Sequence, residues 1–280
     1  MTAHKSSFTG KTPLAIVLVA AATLTISIRA QSPTEAQDAL TFEVASVKPA
    51  ARLSGYIHQL PGNQTYSIEG APVRLIMTVA YQVTDRQISG GPSWMTAWMT
   101  SDPFDITAKA TRPRTSDELH VMLQHLLEER FQLKVRREAR QEPVWALTVD
   151  KGGSKMPVHD PEDKVHEPIG GQALRGSDGT MCPGMKGQNV TMNYFAFFLS
   201  RGMDRGVIDK TGLPGAYDVN MQYMPEGMHL GGRDGGGPEI SPDCSDIFSA
   251  LPKQLGLRLE PAKGPVVHLA VERAEKPTGN

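Results

Sequence analysis

The sequence predicts an α+β fold made of two related units, each packing two helices on mainly antiparallel sheet. Three observations predict it. A helix followed by two strands, then a second helix followed by two more, can be traced in residues 41–150 and again in residues 188–277. Apolar residues recur at helical spacing in the first kind of segment and alternate with period two in the second. The joints also match: Gly90-Gly91-Pro92 in one half answers Gly212-Leu213-Pro214-Gly215 in the other. Self-similarity in fixed order is the mark of an internal duplication.

The first helix opens at Ala71-Pro72, since a proline in the first helical position loses no hydrogen bond. Leu75, Ile76, Val79, Ala80 and Val83 form its apolar face. Its counterpart takes Thr191 as N-cap, with Met192, Phe195, Phe198 and Leu199 apolar. Strands follow at 87–89 and 104–109, and at 206–209 and 216–221; Phe104-Asp105-Ile106 and Tyr217-Asp218-Val219 share an aromatic–Asp–β-branched pattern. Thr115 and Glu118 read as a capping box ahead of Leu119, Met122, Leu123 and Leu126. The matching helix starts near Ser245 and carries Ile247, Phe248, Leu251 and Leu255. Pro252 within it is expected to kink or shorten it. Each helix leads into an alternating strand, at 131–135 and 255–259. A turn at Pro143 or Pro265 then gives a last strand, at 144–149 and 266–271.

Residues 1–30 read as a secretory signal peptide. His4, Lys5 and Lys11 make a basic start, Leu14 to Ile28 is an apolar run, and Ala30 offers a cleavage point before Gln31. The run is short for a membrane span; an uncleaved N-terminal anchor is the other reading. No cysteine precedes Cys182, which argues against a lipidated anchor. The leader holds three of the 29 Lys and Arg residues and none of the 30 Asp and Glu residues. Cleavage therefore leaves 26 basic against 30 acidic side chains, a formal charge of −4. A nucleic-acid partner needs a basic face, and none is visible.

Cys182 and Cys244 are the only cysteines. In an oxidising compartment they are expected to form a disulfide; two free thiols stay open, because sequence does not fix their separation. Residues 151–187, rich in Gly, Pro, Lys and Asp, read as a linker between the units. Residues 225–243, with a glycine-rich run at 231–237, read as a second surface loop.

No catalytic constellation is evident. Asp209-Lys210-Thr211-Gly212 matches the phosphorylated aspartate of P-type ion pumps but lacks their membrane and nucleotide-site context; a tight turn explains it. Lys210-Thr211-Gly212 matches penicillin-interacting serine enzymes, yet no serine has a lysine three positions on. His120 and His125 are five apart and do not share a helix face as metal ligands do. His159 and His166, near Asp160, Glu162 and Asp163, lack a rigid frame for a metal. Asp105 and Asp218 occupy equivalent positions, and paired carboxylates can do acid–base work; strand residues on a polar face explain them more simply. The run at 231–237 lacks the helix that phosphate loops use. Trp94, Met95, Trp98 and Met99 form either a small core capping the sheet or a contact surface.

The joints also resemble a known family. They include Phe42 to Pro49, Ala80-Tyr81-Gln82-Val83, Gln87 to Trp94, Phe104 to Lys109 and Leu126 to Phe131. Val207 to Leu213, Gln254-Leu255-Gly256-Leu257 and Glu275-Lys276-Pro277 complete the ordered set. Over about residues 41–277 the chain resembles uncharacterised exported proteins expanded in soil Acidobacteria. The resemblance implies export, an unassigned function and no established catalytic residues. Similar domains occur fused to sensor proteins of the BlaR-type metallopeptidase class, which implies extracytoplasmic sensing or binding. The helix–strand–strand plan is similar to the short N-terminal domains of secretins and TonB-dependent receptors, at the level of fold alone.

The functional expectation is a non-enzymatic extracytoplasmic binding module without cofactor, its partner an envelope protein or extracellular ligand. The competing expectation is a hydrolase using Asp105, Asp218 or a linker histidine.

Overall fold

The computed structural model describes residues 40–59, 64–96, 101–163, 168–175, 180–225, 240–242 and 244–277. The leader, Trp98, Met99, His166 and the run 231–237 lie outside the described residues. Those described belong to one compact unit, Leu40–Asn280. In chain order they form β1 (Val44–Pro49), β2 (Tyr56–Gln59), β3 (Thr65–Pro72), α1 (Val73–Ala80), β4 (Ile88–Gly90), α2 (Ser93–Thr96), β5 (Pro103–Lys109), α3 (Ser116–Phe131) and β6 (Lys134–Val149). Then follow β7 (Gly170–Arg175), β8 (Met181–Thr191), α4 (Met192–Ser200), β9 (Val207–Asp209), β10 (Ala216–Gln222), α5 (Ile247–Ala250) and β11 (Leu257–Arg273). Three sheets have the orders β1-β5-β3-β2, β10-β8-β7 and β4-β11-β6-β9. Among the described strands, β4–β11 and β6–β9 pair in parallel and the others antiparallel. The fold class is α+β and mainly antiparallel, as predicted.

The helix ends follow the sequence signals closely. Thr115 and Glu118 exchange a full capping box at the start of α3. Thr191 Oγ1 accepts the Tyr194 N–H at 3.3 Å. Pro72 differs from expectation: it ends β3 and caps α1 rather than occupying its first turn. Pro252 does shorten its helix: α5 has four residues, and the chain continues through a π-helical turn, Leu251–Leu255.

No turn forms at Pro143 or Pro265. β6 and β11 are single strands of 16 and 17 residues, paired antiparallel along nearly their whole length. The prolines fit because of ladder parity. Trp145 donates its N–H to Gly206 O at 2.8 Å, away from β11. Alternation then turns the nitrogen of Pro143 the same way. Pro261 and Pro265 pair with Trp145 and Gln141, so they share that parity. None of the three removes a donor from the β6–β11 ladder.

These two strands also join the two halves. The N-terminal part of β6 packs Val135 on a first core, built around Tyr66, Ile76, Phe104, Leu123 and Phe131. Its C-terminal part packs Leu147 in a second core, around Met185, Phe195, Tyr217 and Leu251. β11 runs the other way, with Leu257 in the second core and Leu269 and Val271 in the first. The short strands follow suit: β4, from the first half, pairs with β11, and β9, from the second, pairs with β6. Residues 151–187, read as a linker, contain β7 and the first part of β8, with Met156 and Ile169 in the second core. Their glycines misled the reading; Gly184 and Gly187 lie within β8, pressed against Met221 O and Ile169, where a strand needs no side chain.

Cys182 in β8 is bonded to Cys244, just ahead of α5, with Cα atoms 5.5 Å apart. Among the described residues, no helix is long and apolar enough to cross a membrane.

Candidate functional site

Asp105 and Asp218, the carboxylates with the best sequence case for catalysis, hold backbone bulges. The β3–β5 register slips between Ile68 and Ala71, and the β8–β10 register slips opposite Tyr217 and Val219. Each slip contains a left-handed residue, Gly70 at φ +56° and Asn189 at φ +55°. Asp105 Oδ1 accepts the Gly70 N–H at 2.8 Å, and Asp218 Oδ1 accepts the Asn189 N–H at 3.2 Å. A bulge leaves an N–H without its ladder partner, and each carboxylate supplies the acceptor. Asp218 also meets His159 Nδ1 at 2.8 Å. His159 donates its backbone N–H to Ala216 O and Asp218 donates its own to Pro157 O, so the pair fastens the chain around Val158 to the outer edge of β10. Replacing Asp218 by Ala is expected to cost about 2 kcal/mol, and Asp105 by Ala about 1 kcal/mol, through lost acceptors. Urea midpoints measure this; unchanged midpoints in both variants would refute the bulge role.

The remaining sequence candidates are dispersed. Asp209 Oδ1 accepts the N–H and hydroxyl of Thr211, which makes Asp209-Lys210-Thr211-Gly212 a side-chain-closed turn. His125 Nδ1 lies 2.8 Å from Leu40 O, and His120 is buried elsewhere. Among the described residues no group of His, Cys, Asp and Glu could hold a metal ion. Met95 is buried; Trp94 is half-buried, edge-on to Phe104 at 6.2 Å and stacked near Phe131 at 6.5 Å.

Sequence reasoning missed a cluster where the two halves meet. His120 on α3 lies with its ring centre 5.0 Å from that of Tyr194 on α4 and 6.5 Å from that of Tyr66 on β3. Gln82, at φ +52°, directs its amide nitrogen to His120 Nδ1 at 3.0 Å and to Asp117 Oδ1 at 3.2 Å. An amide nitrogen donates, so Nδ1 accepts and the ring proton sits on Nε2. Burial pushes the His120 pKa from 6.5 down to about 4. It pushes the Tyr66 and Tyr194 phenols up, so both stay protonated. His120 Nε2 and Tyr66 Oη are buried without a hydrogen-bond partner, a costly arrangement in a protein interior.

Tyr66 and Tyr194 also line a cleft of about 440 Å³. One wall is the consecutive run from Gly55 to Gln59 in and before β2; the opposite wall is Pro168 to Gly170, leading into β7. Leu75 and Val79 of α1 contribute apolar surface, and Arg201 the single cation. No Asp or Glu is among the lining residues. Tyr56 is exposed and its ring stacks on His58 at 5.8 Å. Aromatic walls with a few polar groups are the usual make-up of a ligand site.

A family model described as protein of unknown function (DUF3738) matches residues 74–274. The chain belongs to the DUF3738 family. The DUF3738 span runs from α1 through β11 and takes in the disulfide, Gln82, His120 and Tyr194; β1, β2 and β3, with Tyr66 and Gly70, precede it. Neither curated proteins nor solved structures give a significant match.

Proposed function

We propose that this protein is a non-enzymatic, extracytoplasmic binding module whose ligand occupies the cleft between β2 and β7. One observation carries the reading: the carboxylates with a sequence case for chemistry are bound to backbone N–H groups, while the cleft lined by Tyr56, Tyr66 and Tyr194 has in Tyr66 a buried hydroxyl without a hydrogen-bond partner. The disulfide is compatible with export. The test is capture from envelope extract by the purified protein and by a Leu75→Arg variant, which fills the cleft with charge. Retention of one species by the first and not the second is expected; equal retention overturns the reading.

The His159–Asp218 pair favours a second reading, a hydrolase with His159 as base. Its ring is nearly sealed from solvent, at 3% side-chain exposure. Turnover of ester, peptide or glycoside substrates that disappears in Asp218→Asn would establish this reading over the first.

The same proposal includes an internal duplication with exchanged strands. Its support is positional. The buried residues Val73, Ile76, Met77, Thr78 and Ala80 of α1 correspond to Met192, Phe195, Ala196, Phe197 and Leu199 of α4, all 119 positions later and all buried. By this alignment Phe195 matches Ile76 rather than Leu75. The left-handed bulge residues Gly70 and Asn189 are also 119 positions apart, and the carboxylates that hold them, Asp105 and Asp218, are 113 apart. Even β1 has a counterpart: Val158 bridges Tyr217 as Pro49 pairs with Phe104. Separately expressed fragments 40–150 and 151–280 are expected to stay unfolded alone and to assemble when mixed, read by circular dichroism; two fragments that each fold alone would overturn the exchange.

A further inference from the structure

We propose that the cleft takes a small apolar molecule bearing one carboxylate, held between Arg201 and the hydroxyls of Tyr66 and Tyr194. This rests on the binding reading above and specifies its ligand.

The polar end of the cleft is built around Tyr66. Gln59 pairs with Tyr66 and Ile57 with Ile68, and residues directly opposite share one face of a sheet. Ile57, Gln59 and Tyr66 therefore stand on the face turned to the first core, where Leu75 and Val79 of α1 complete the apolar part of the lining. Tyr66 is 1% exposed, and its hydroxyl has no hydrogen-bond partner. A buried hydroxyl left unpaired costs stability; on the wall of a cleft, a bound molecule can pair it. Tyr194 stands beside it. The rings of Tyr66 and Tyr194 both pack on His120, at 6.5 Å and 5.0 Å between centres, and the Gln82 amide holds that imidazole in place.

The charges select the ligand's polar group. Arg201 lies over the Phe198 ring at 5.6 Å, and no described lining residue is Asp or Glu. Burial raises the Tyr194 phenol; Arg201 opposes this, more strongly than Asp117 adds to it. The guanidinium thus sets the field at that hydroxyl. Two phenols kept protonated by burial and one guanidinium call for a partner that accepts. A carboxylate does so, and its plane matches the guanidinium fork. Its single charge balances the single guanidinium, whereas a phosphate would leave a second charge desolvated without a partner. The rest of the ligand is apolar, to suit Ile57, Leu75, Val79 and Ile169, and a cleft of about 440 Å³ admits a small molecule.

The test is a panel of linear and aryl monocarboxylates, octanoate and phenylpropionate among them, each paired with its primary amide and titrated into the purified protein by ligand-observed NMR. The best acid is expected to bind about tenfold or more tighter than its amide. Arg201→Gln, at an exposed position, is expected to bring the acid within about threefold of the amide. Tyr66→Phe deletes one hydroxyl and is expected to weaken binding of the acid about tenfold. Its urea midpoint without ligand is expected to be unchanged or raised, since nothing in the fold pairs that hydroxyl. Equal binding of acid and amide overturns the carboxylate, and so does an acid preference that survives Arg201→Gln. A lowered midpoint with unaltered affinity in Tyr66→Phe assigns the hydroxyl to the fold and overturns its part in the site. Octyl phosphate binding as tightly as octanoate overturns the single-charge match. If no acid binds at millimolar concentration, the ligand class is wrong, while the Leu75→Arg capture result still decides whether the cleft binds anything.

Discussion

Reduction of the Cys182–Cys244 bond is expected to lower stability by about 4 kcal/mol, the chain-entropy value for a closed loop of this size. The bond spans 62 positions and encloses α4, β9 and β10. Cys182 is buried in β8, and Cys244 precedes Asp246, whose side chain caps α5 through the N–H groups of Phe248 and Ser249. Freed, the start of α5 loses its tie to the second sheet. Judged from sequence, such a loss would fall on the second unit and leave the first folded. The fold predicts otherwise, because Leu269 and Val271 of β11 stand in the first core and Leu147 of β6 in the second. Loosening either core withdraws strands from the other. One transition is therefore expected, with its melting point about 10 °C lower in reductant. The double variant Cys182→Ala/Cys244→Ala should reproduce the shift. An unchanged midpoint would show that the bond does not stabilise the fold; two separated transitions would show that the halves unfold independently.

Acid is expected to weaken the fold through His120. The ring is neutral when folded, with a pKa of about 4 against an ordinary 6.5. Unfolded chains therefore take up a proton at a pH where folded chains do not, and protonation drains the folded state. The contribution is intact above about pH 6.5 and declines as the pH falls from there, by about 3 kcal/mol on reaching pH 4. Carboxylates titrate nearby, so the informative quantity is the difference between the protein and a His120→Gln variant. Urea midpoints at neutral pH and at about pH 5 should differ by about 2 kcal/mol more in the unaltered protein than in the variant. Parallel pH profiles would mean that His120 is already charged in the fold.

Much of the framework was legible because it depends on local signals. The Thr115–Glu118 box, the Thr191 cap and the effect of Pro252 are each decided within a few residues. Alternation placed β5 and β10 with their inward residues Phe104, Ile106, Tyr217 and Val219. The prolines of β6 and β11 were misread because their tolerance depends on parity against a partner more than 100 positions away. The cleft was hidden for a similar reason. Tyr66 and Ile68 alternate as a strand should, but the segment is short and glycine-flanked, and nothing local says that Tyr194 and His120 converge on it. Asp105 and Asp218 were singled out by their repeat; their role needed the bulges, which only the register displays.

The pairing of β6 with the distant β11 has a consequence for synthesis. Chains emerge N-terminus first, and β6 is complete at Val149 while β11 begins at Leu257, 108 residues later. At ordinary elongation rates this is a delay of roughly 5–20 s. Throughout it, the β11-facing edge of β6, 16 residues long, and the apolar side chains of Val144 and Leu147 have no permanent cover. β9 arrives sooner but spans only three residues. A ribosome-bound chain therefore cannot close its N-terminal core ahead of its C-terminal one. Protection during that interval falls to whichever chaperone meets β6 first, and a message truncated before residue 257 yields an aggregating product rather than a smaller working domain.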